Sequence, residues 1–252
     1  MTLLSVNVNK IATLRNSRGQ NIPNLEKVVQ DLMSYGVRGI TIHPRPDERH
    51  IKQKDVYSIK KIIHQHNKET SGPRVEFNIE GYPSDAFMNM IFEILPDQCT
   101  LVPDPPEALT SNAGWKLKAN SDFLKNILAA LKENHVRSSL FIDPLDFDKD
   151  EQESLKGLSA DRIELYTERY AKSYATTSKI KVSEEYAKCA LNAHHLGVEI
   201  NAGHDLNQQN LQFFLQEVPY VKEVSIGHAL ICEALYQGLS RTIANYHKLL
   251  GY

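Results

Sequence analysis

The chain has 252 residues, of which 41% are hydrophobic, and its 29 Lys and Arg nearly balance its 31 Asp and Glu. This balance argues against nucleic-acid binding, which uses strongly basic surfaces, and no stretch reaches the roughly 20 apolar residues of a membrane helix. Three scattered cysteines, Cys99, Cys189 and Cys232, form no C-x-x-C pair, so neither a disulfide framework nor a structural zinc site is indicated. We expect a soluble, cytoplasmic protein with reduced thiols.

Short apolar, β-branched runs alternate with longer amphipathic segments along the whole chain. The runs predict eight strands, over 3–8, 39–43, 75–79, 98–102, 138–142, 162–165, 198–201 and 223–226. Helices are predicted between them, including 25–35 ended by Gly36, 122–134, 183–196 with Ser183 as N-cap and Gly197 as stop, and 230–250. This alternation predicts a (β/α)8 barrel of parallel strands, as a single domain over 1–252.

In this fold the active site lies at the carboxyl ends of the strands. The predicted strand ends carry Asn7, Asn9, Lys10, Arg15 and Arg18 (first), His43, Arg45 and His50 (second), Glu76 (third), Thr110 (fourth), Glu164 and Thr167 (sixth), Gly203, His204 and Asp205 (seventh), and Gly227 and His228 (eighth). Two imidazoles and two guanidiniums over 43–50 favour an anionic substrate.

Several of these groups have two interpretations. Glu76 inside an apolar strand is either a salt-bridged carboxylate of the barrel interior or a general base whose pKa is raised by burial. Arg15 and Arg18 are either solvated loop charges or guanidiniums that fork onto phosphate oxygens. The Gly-His pairs at 203–204 and 227–228 are either simple turns into helices or phosphate-binding helix N-termini.

Metal binding is not favoured by the pattern of histidines. The residue two positions after His43 is Arg45, a cation that would repel a metal ion. His64 and His66 have ligand spacing but fall in a helical stretch, where side chains two residues apart diverge. We therefore expect no metal in the site.

Four segments resemble those of the pyridoxine 5′-phosphate synthase family. They are VNVNKIATLRNSRG at 6–19, GITIHPRPDERHI at 39–51, NAGH at 201–204 and IGHA at 226–229. They extend from the first predicted strand to the last, in the family's order and at its spacing.

The resemblance implies a (β/α)8 TIM barrel with additional helices that assembles into a homo-octamer. It implies condensation of 3-amino-2-oxopropyl phosphate with 1-deoxy-D-xylulose 5-phosphate to pyridoxine 5′-phosphate, phosphate and water, with no metal or organic cofactor. By position, His43 and Glu76 match the family's proton acceptors and His204 its proton donor. The aminoketone phosphate site matches Asn7, Arg18, Gly227, His228 and the backbone of Asp205. The deoxyxylulose phosphate site matches Asn9, Lys10, Arg45, His50 and Thr110.

The chain departs from the family pattern at two places. Asn9-Lys10 stands where many members have Asp-His, and Asp205 stands where Gly is common. We expect Lys10 to bind phosphate as a point charge, and only the backbone N–H of Asp205 to serve the ligand. Because water would hydrolyse imine intermediates, a lid is predicted over 103–115.

Two alternatives to the synthase remain open on the residues alone. A sugar-phosphate epimerase or aldolase on the same scaffold would share the phosphate-binding turns. A non-catalytic phosphometabolite-binding barrel would retain ligand binding without turnover.

Overall fold

The computed structural model describes residues 1–104 and 113–252, and in these ranges eight parallel strands close into a barrel in chain order. The strands are β1 (Leu3–Asn7), β2 (Gly39–Ile42), β3 (Glu76–Gly81), β4 (Gln98–Leu101), β5 (Arg137–Ile142), β6 (Arg162–Tyr166), β7 (Glu199–Gly203) and β8 (Val221–Ile226). The barrel closes where Leu4 of β1 lies opposite Val224 of β8. The predicted (β/α)8 barrel is confirmed.

Helices surround the barrel and include more than one for some strands. Those in the described ranges are α1 (Asn9–Asn16), α2 (Leu25–Ser34), α3 (Gln53–Glu69), α4 (Asp85–Ile94), α5 (Ser121–Glu133), α6 (Lys149–Leu158), α7 (Glu168–Ser173), α8 (Lys179–His195), α9 (Leu211–Glu217), α10 (His228–Gln237) and α11 (Leu239–Leu250). Pairs of helices follow β1, β6 and β8, which accounts for the additional helices. Within residues 1–104 and 113–252, none of the helices is long and apolar enough to cross a membrane.

Local sequence explains both ends of α2, and the structure corrects two predicted helix features. The Asn24 side chain caps α2 by accepting the backbone N–H of Lys27, and Gly36 follows the helix with φ of +89°. The helix predicted over 230–250 is broken at Gly238, whose φ of +79° separates α10 from α11. Ser183 is not an N-cap: it lies within α8, and its hydroxyl donates to the Lys179 carbonyl.

The barrel interior is polar at mid-height. Ser5 and Thr41 share a hydrogen bond of 2.7 Å, Asn78 donates to Thr41 over 3.3 Å, and Thr100 donates to Asn78 over 3.0 Å. These side chains alternate along their strands with apolar residues, such as Ile40, that pack outward against the helices. The hydrophobic core is therefore a shell between strands and helices, and hydrogen bonds link these four interior side chains.

Toward the amino ends of the strands, charged side chains fill the barrel. Arg162 donates to Gln98 over 3.1 Å and to Asn201 and Glu223 over 3.3 Å each. Its Nε also donates to Glu199 over 2.9 Å. Because these hydrogen bonds and ion pairs fill the amino end of the barrel, the opposite mouth is the end open to ligands.

Candidate active site

The carboxyl ends of β1, β2 and β3 bring Asn7, His43 and Glu80 together. Asn7 Nδ2 donates to Glu80 Oε2 over 3.4 Å, and His43 Nδ1 lies 3.8 Å from the same oxygen. Both His43 and Glu80 are buried. An imidazole and a carboxyl group therefore face one small volume at the mouth of the barrel.

Burial sets the charge of this pair. Burial, followed by the charge of Arg45, lowers the pKa of His43 well below its ordinary value. Burial, reinforced by the Glu223 carboxylate, raises the pKa of Glu80 to about 8. Near neutral pH the imidazole is a neutral base and the carboxyl group a neutral acid, so the two do not form an ion pair. Such a pair can remove a proton from one substrate atom and deliver one to another.

The side chain of Asn9 holds the backbone beside His43. The side-chain oxygen Oδ1 of Asn9 accepts the backbone N–H of His43 over 3.0 Å. The backbone N–H of Asn9 donates to Asn7 Oδ1 over 3.0 Å. These bonds join the end of β1 to the end of β2. Asn9 therefore acts on the position of His43, while Lys10, the next residue, is exposed at the mouth.

A second carboxyl group, Glu164 of β6, lies inside the barrel. Burial, followed by the charge of Glu80, raises the pKa of Glu164 well above its ordinary value. Among the described residues its Oε2 has no hydrogen-bond partner. Gly203 leaves room for it, since a Cβ there would lie 2.1 Å from Glu164 Oε1. Burial thus favours the protonated form of Glu164, which lies inside the barrel with one oxygen unpartnered among the described residues.

His204 follows β7 and packs edge-on against two aromatic rings. Its ring centroid lies 5.2 Å from that of Phe141 and 5.1 Å from that of Tyr166. Burial lowers its pKa. Its φ of +76° and the φ of +57° at Asp205 are strained for residues with side chains, and the Asn210 amide donates to the Asp205 carbonyl to hold that turn. The turn places the His204 imidazole against these two rings, near enough to His43 for its charge to lower the pKa of His43.

The loop after β2 supplies a buried guanidinium and a half-buried imidazole. Arg45 is buried, and its NH2 lies 3.7 Å from Asp104 Oδ2. The His50 ring lies edge-on to that of His43, with centroids 6.3 Å apart. Burial, followed by the charge of Arg45, lowers the pKa of His50 to about 4. A guanidinium and an N–H of a neutral imidazole are suitable donors for a phosphate group.

The amino end of α10 lies beside Asn7 at the mouth of the barrel. Gly227 precedes the helix and packs so closely on Asn7 that a Cβ would lie 3.0 Å from the Asn7 Cβ. The first backbone N–H groups of a helix have no partner within the helix and attract anions. His228, the first residue of α10, is exposed beside them, and Cys232 Sγ lies 3.7 Å from its Nε2.

A cavity of about 260 Å³ opens between the loops that follow β2 and β3. His43, Arg45 and Asp104 lie on its polar side, and Tyr82 and Phe87 on its apolar side. Its volume is close to that of small-molecule pockets, which begin at about 300 Å³. Among the residues the structure describes, no group of three or more His, Cys, Asp or Glu side chains is arranged to hold a metal ion.

The position of Glu76 corrects the expectation that it lies among the catalytic groups. It is the first residue of β3, at the amino end of the barrel, where Arg137 holds it in a two-pronged salt bridge. Burial alone would raise its pKa, but Arg137 outweighs burial and lowers it. Glu80, four residues further and about 13 Å along the strand, occupies the mouth instead. Of the two interpretations of Glu76, the salt-bridged carboxylate is the one observed.

Comparison with known proteins establishes the family. The model of the family described as "Pyridoxal phosphate biosynthesis protein PdxJ" matches residues 4–251. The chain belongs to the PdxJ family. Pyridoxine 5′-phosphate synthase of Parabacteroides distasonis is 48% identical over 250 residues, covering 99% of each chain, and that of Porphyromonas gingivalis is 50% identical with the same coverage. The solved 3-hexulose-6-phosphate synthase is 10% identical, covers 98% of this chain and 99% of its own, and has a TM-score of 0.62, which shows the fold alone.

The remaining predicted residues of this PdxJ family member occupy several kinds of place. Arg18 and Asp205 are exposed. Thr110 lies outside the described residues, as does most of the predicted lid, although Trp115 at its end donates to the Leu101 carbonyl over 2.8 Å. Arg15 is neither solvated nor free to fork onto phosphate, because it is buried against Asp55.

Two carboxyl groups of the candidate site are not among the residues that the sequence predicts for it. The third strand is predicted to end at 79, two residues before its observed end at Gly81, so the prediction leaves Glu80 out. Glu164 was noted as a polar strand-end residue and given no role. The signal that could have found both is a carboxylate on the inward face near the carboxyl end of its strand.

Proposed function

We propose that the chain is a pyridoxine 5′-phosphate synthase. It condenses 3-amino-2-oxopropyl phosphate with 1-deoxy-D-xylulose 5-phosphate to give pyridoxine 5′-phosphate, inorganic phosphate and water, with residues 1–252 as one catalytic domain. The observation that carries this proposal is the neutral His43 and Glu80 pair, placed at the mouth between a cationic loop and a helix amino end. Nearly identical length and about 48% identity to synthases named for this activity support it.

Acid–base catalysis is the mechanism that these groups favour. Imine formation from an amine and a ketone, loss of one phosphate, dehydration and ring closure each move protons at neighbouring atoms. His43 is the proposed proton acceptor, and His204 the proposed donor. Glu80 replaces Glu76 in the proposed set, because it alone of the two lies beside His43. Glu80 is protonated at rest, so it donates first and accepts later.

The two substrate phosphates need separate anion sites. For the aminoketone phosphate we propose Asn7, Arg18, Gly227, His228 and the backbone of Asp205. For the deoxyxylulose phosphate we propose Asn9, Lys10, Arg45, His50 and Thr110. The helix amino end at Gly227 and the buried guanidinium of Arg45 support this division. Since the Asn9 amide oxygen already accepts from His43, its contribution to the ligand is the remaining NH2 group.

Turnover separates the synthase from its alternatives. The purified chain is incubated with both substrates, and pyridoxine 5′-phosphate is measured by chromatography and mass spectrometry. The expected result is product that requires both substrates. Binding of either phosphate without turnover would indicate a non-catalytic barrel, whereas conversion of the sugar phosphate alone would indicate an epimerase or aldolase.

We also propose a homo-octamer located in the cytoplasm. The family resemblance supports the octamer, and the near balance of charge with no membrane-length helix in the described residues is compatible with the location. Light scattering should give eight times the 28.6 kDa chain mass. A smaller mass across a range of protein concentrations would contradict the octamer.

A further inference from the structure

Arg15 and Asp55 form a buried ion pair close to the mouth. Arg15 NH1 and NH2 each lie 2.7 Å from one Asp55 carboxylate oxygen, and each residue is only 6% exposed. Arg15 is in the last turn of α1, whereas Asp55 is in the first turn of α3. The pair therefore fastens the helix after β1 to the helix after β2.

The same carboxylate also shapes the end of the loop between β2 and α3. Asp55 Oδ2 accepts the backbone N–H of Lys52 over 2.8 Å, which caps α3. The loop that carries Arg45 and His50 is thus held at its end by a group that is itself fixed by Arg15. Replacing either charge would leave its partner buried and uncompensated.

The backbone of His50 is held directly. Its carbonyl accepts from Asn16 Nδ2 over 2.7 Å and from Arg15 NH2 over 3.3 Å. The side-chain oxygen Oδ1 of Asn16 accepts from Arg15 Nε over 3.1 Å, so the two side chains orient each other. A residue of the proposed phosphate site is therefore fixed by side chains that have no proposed contact with substrate.

The His50 ring is oriented as well. The backbone N–H of Ile51 donates to His50 Nδ1 over 2.9 Å. Because an N–H group can only donate, Nδ1 must carry a lone pair, and the ring hydrogen of neutral His50 is on Nε2. Burial, followed by the charge of Arg45, lowers the pKa of His50 to about 4, so the ring stays neutral near pH 7.

We propose that Arg15, Asn16 and Asp55 are positioning residues that hold His50 as a neutral Nε2–H donor to the phosphate of 1-deoxy-D-xylulose 5-phosphate. This inference rests on the proposed function. The three residues fix the His50 backbone, and the Ile51 N–H then fixes the tautomer. A phosphate oxygen accepts the Nε2–H without adding another positive charge beside Arg45.

Asn16→Ala tests the positioning role without breaking the ion pair of Arg15 and Asp55. The matched control is Asn67→Ala, because Asn67 makes a similar pair of 2.9 Å bonds to the Val75 backbone at the amino end of β3. Both variants lose side-chain bonds to a backbone segment, so both should lower the melting temperature to a similar extent. Only Asn16→Ala should raise the KM for 1-deoxy-D-xylulose 5-phosphate, by about 10-fold, the factor for roughly one lost hydrogen bond. The kcat and the KM for the aminoketone should stay near the wild-type values.

Two substitutions of His50 test the tautomer. The side-chain nitrogen of Gln can reach the Nε2 position, whereas that of Asn corresponds to Nδ1. Both substitutions alter the proposed phosphate site, but His50→Asn should raise the KM for the sugar phosphate about 10-fold more than His50→Gln does. A larger KM for His50→Gln than for His50→Asn would overturn the assigned tautomer.

The KM values of Asn16→Ala and Asn67→Ala decide whether the inference holds. Equal KM values for Asn16→Ala and wild type would overturn it, and so would an equal rise of both substrate KM values. Where wild type turns over, either result leaves the proposed function intact. Absence of product with wild type would overturn the proposed function and this inference with it.

Discussion

Glu80 and Glu76 provide a matched pair for testing the proposed chemistry. They share a strand and its inward face, but only Glu80 lies beside His43. Glu80→Gln keeps the size of the side chain and an oxygen that can accept from Asn7, but its amide can no longer release and take up a proton near neutral pH. Glu76→Gln makes the same chemical change at the other end of the barrel, where it weakens the salt bridge with Arg137.

The structure gives the expected magnitudes. General acid–base groups contribute about 10² to 10⁴-fold to rate, so Glu80→Gln should lower kcat by that factor. Its stability at pH 7 should rise, because Glu80 must regain a proton on folding to reach its raised pKa of about 8, whereas the amide is neutral in both states. Glu76→Gln weakens a charge-assisted bond to Arg137, in which the Arg137 side chain is 25% exposed and the Glu76 side chain 32% exposed. This change should lower the free energy of unfolding by about 1–1.5 kcal/mol. The melting temperature of Glu76→Gln should therefore fall by about 2–6 °C, with kcat near the wild-type value.

Steady-state formation of pyridoxine 5′-phosphate and thermal unfolding by circular dichroism measure the two effects. Each variant is assayed as a folded protein well below its melting temperature. An equally large fall in kcat for Glu76→Gln and Glu80→Gln would refute the catalytic role proposed for Glu80. Wild-type turnover by Glu80→Gln would refute it as well.

Three further outcomes follow from the geometry of the site. Gly203→Ala should lower kcat, because the new Cβ would lie 2.1 Å from Glu164 Oε1 and displace the Glu164 carboxyl group. Wild-type turnover by this variant would show that the position of the Glu164 carboxyl group does not affect catalysis. Gly227→Ala should raise the KM for the aminoketone phosphate, because its Cβ would press on Asn7 at 3.0 Å; an effect on the sugar phosphate alone would assign the helix end to the other substrate. Because the pKa of folded Glu80 is about 8, Glu80 keeps a proton up to about pH 8 that the unfolded chain has already lost. The useful window begins at about pH 6.5, above which histidines are mostly neutral. Stability should therefore fall as pH rises through this window, and unfolding midpoints should fall less steeply for Glu80→Gln.

The order of elements and the polar mouth could be predicted because both depend on local pattern. Alternation of apolar runs with amphipathic segments gave the eight strands, and the barrel rule then placed the strand ends together. His43, Arg45 and His50 belong to one loop, so their proximity needed no knowledge of long-range contacts. The helix break at Gly238 was missed because apolar periodicity continues through it.

The assignment of the catalytic carboxylate depended on register, which periodicity does not determine. Glu76 and Glu80 are separated by four residues, so both point inward whatever the ends of the strand. Only pairing with neighbouring strands shows that Glu76 lies opposite Gly39, the first residue of β2, at the amino end. Arg15 was misread for a related reason, since its partner Asp55 is 40 residues away in the chain.

The row of hydrogen-bonded hydroxyl and amide side chains inside the barrel limits which substitutions the sequence can accept, both in evolution and in design. Thr41 accepts from Asn78 and shares a bond with Ser5, and Asn78 in turn accepts from Thr100. An apolar replacement at any one position would leave a buried neighbour without its partner, whereas a joint replacement would not. We therefore expect these interior positions to vary together among relatives, and a designer to replace them as a set.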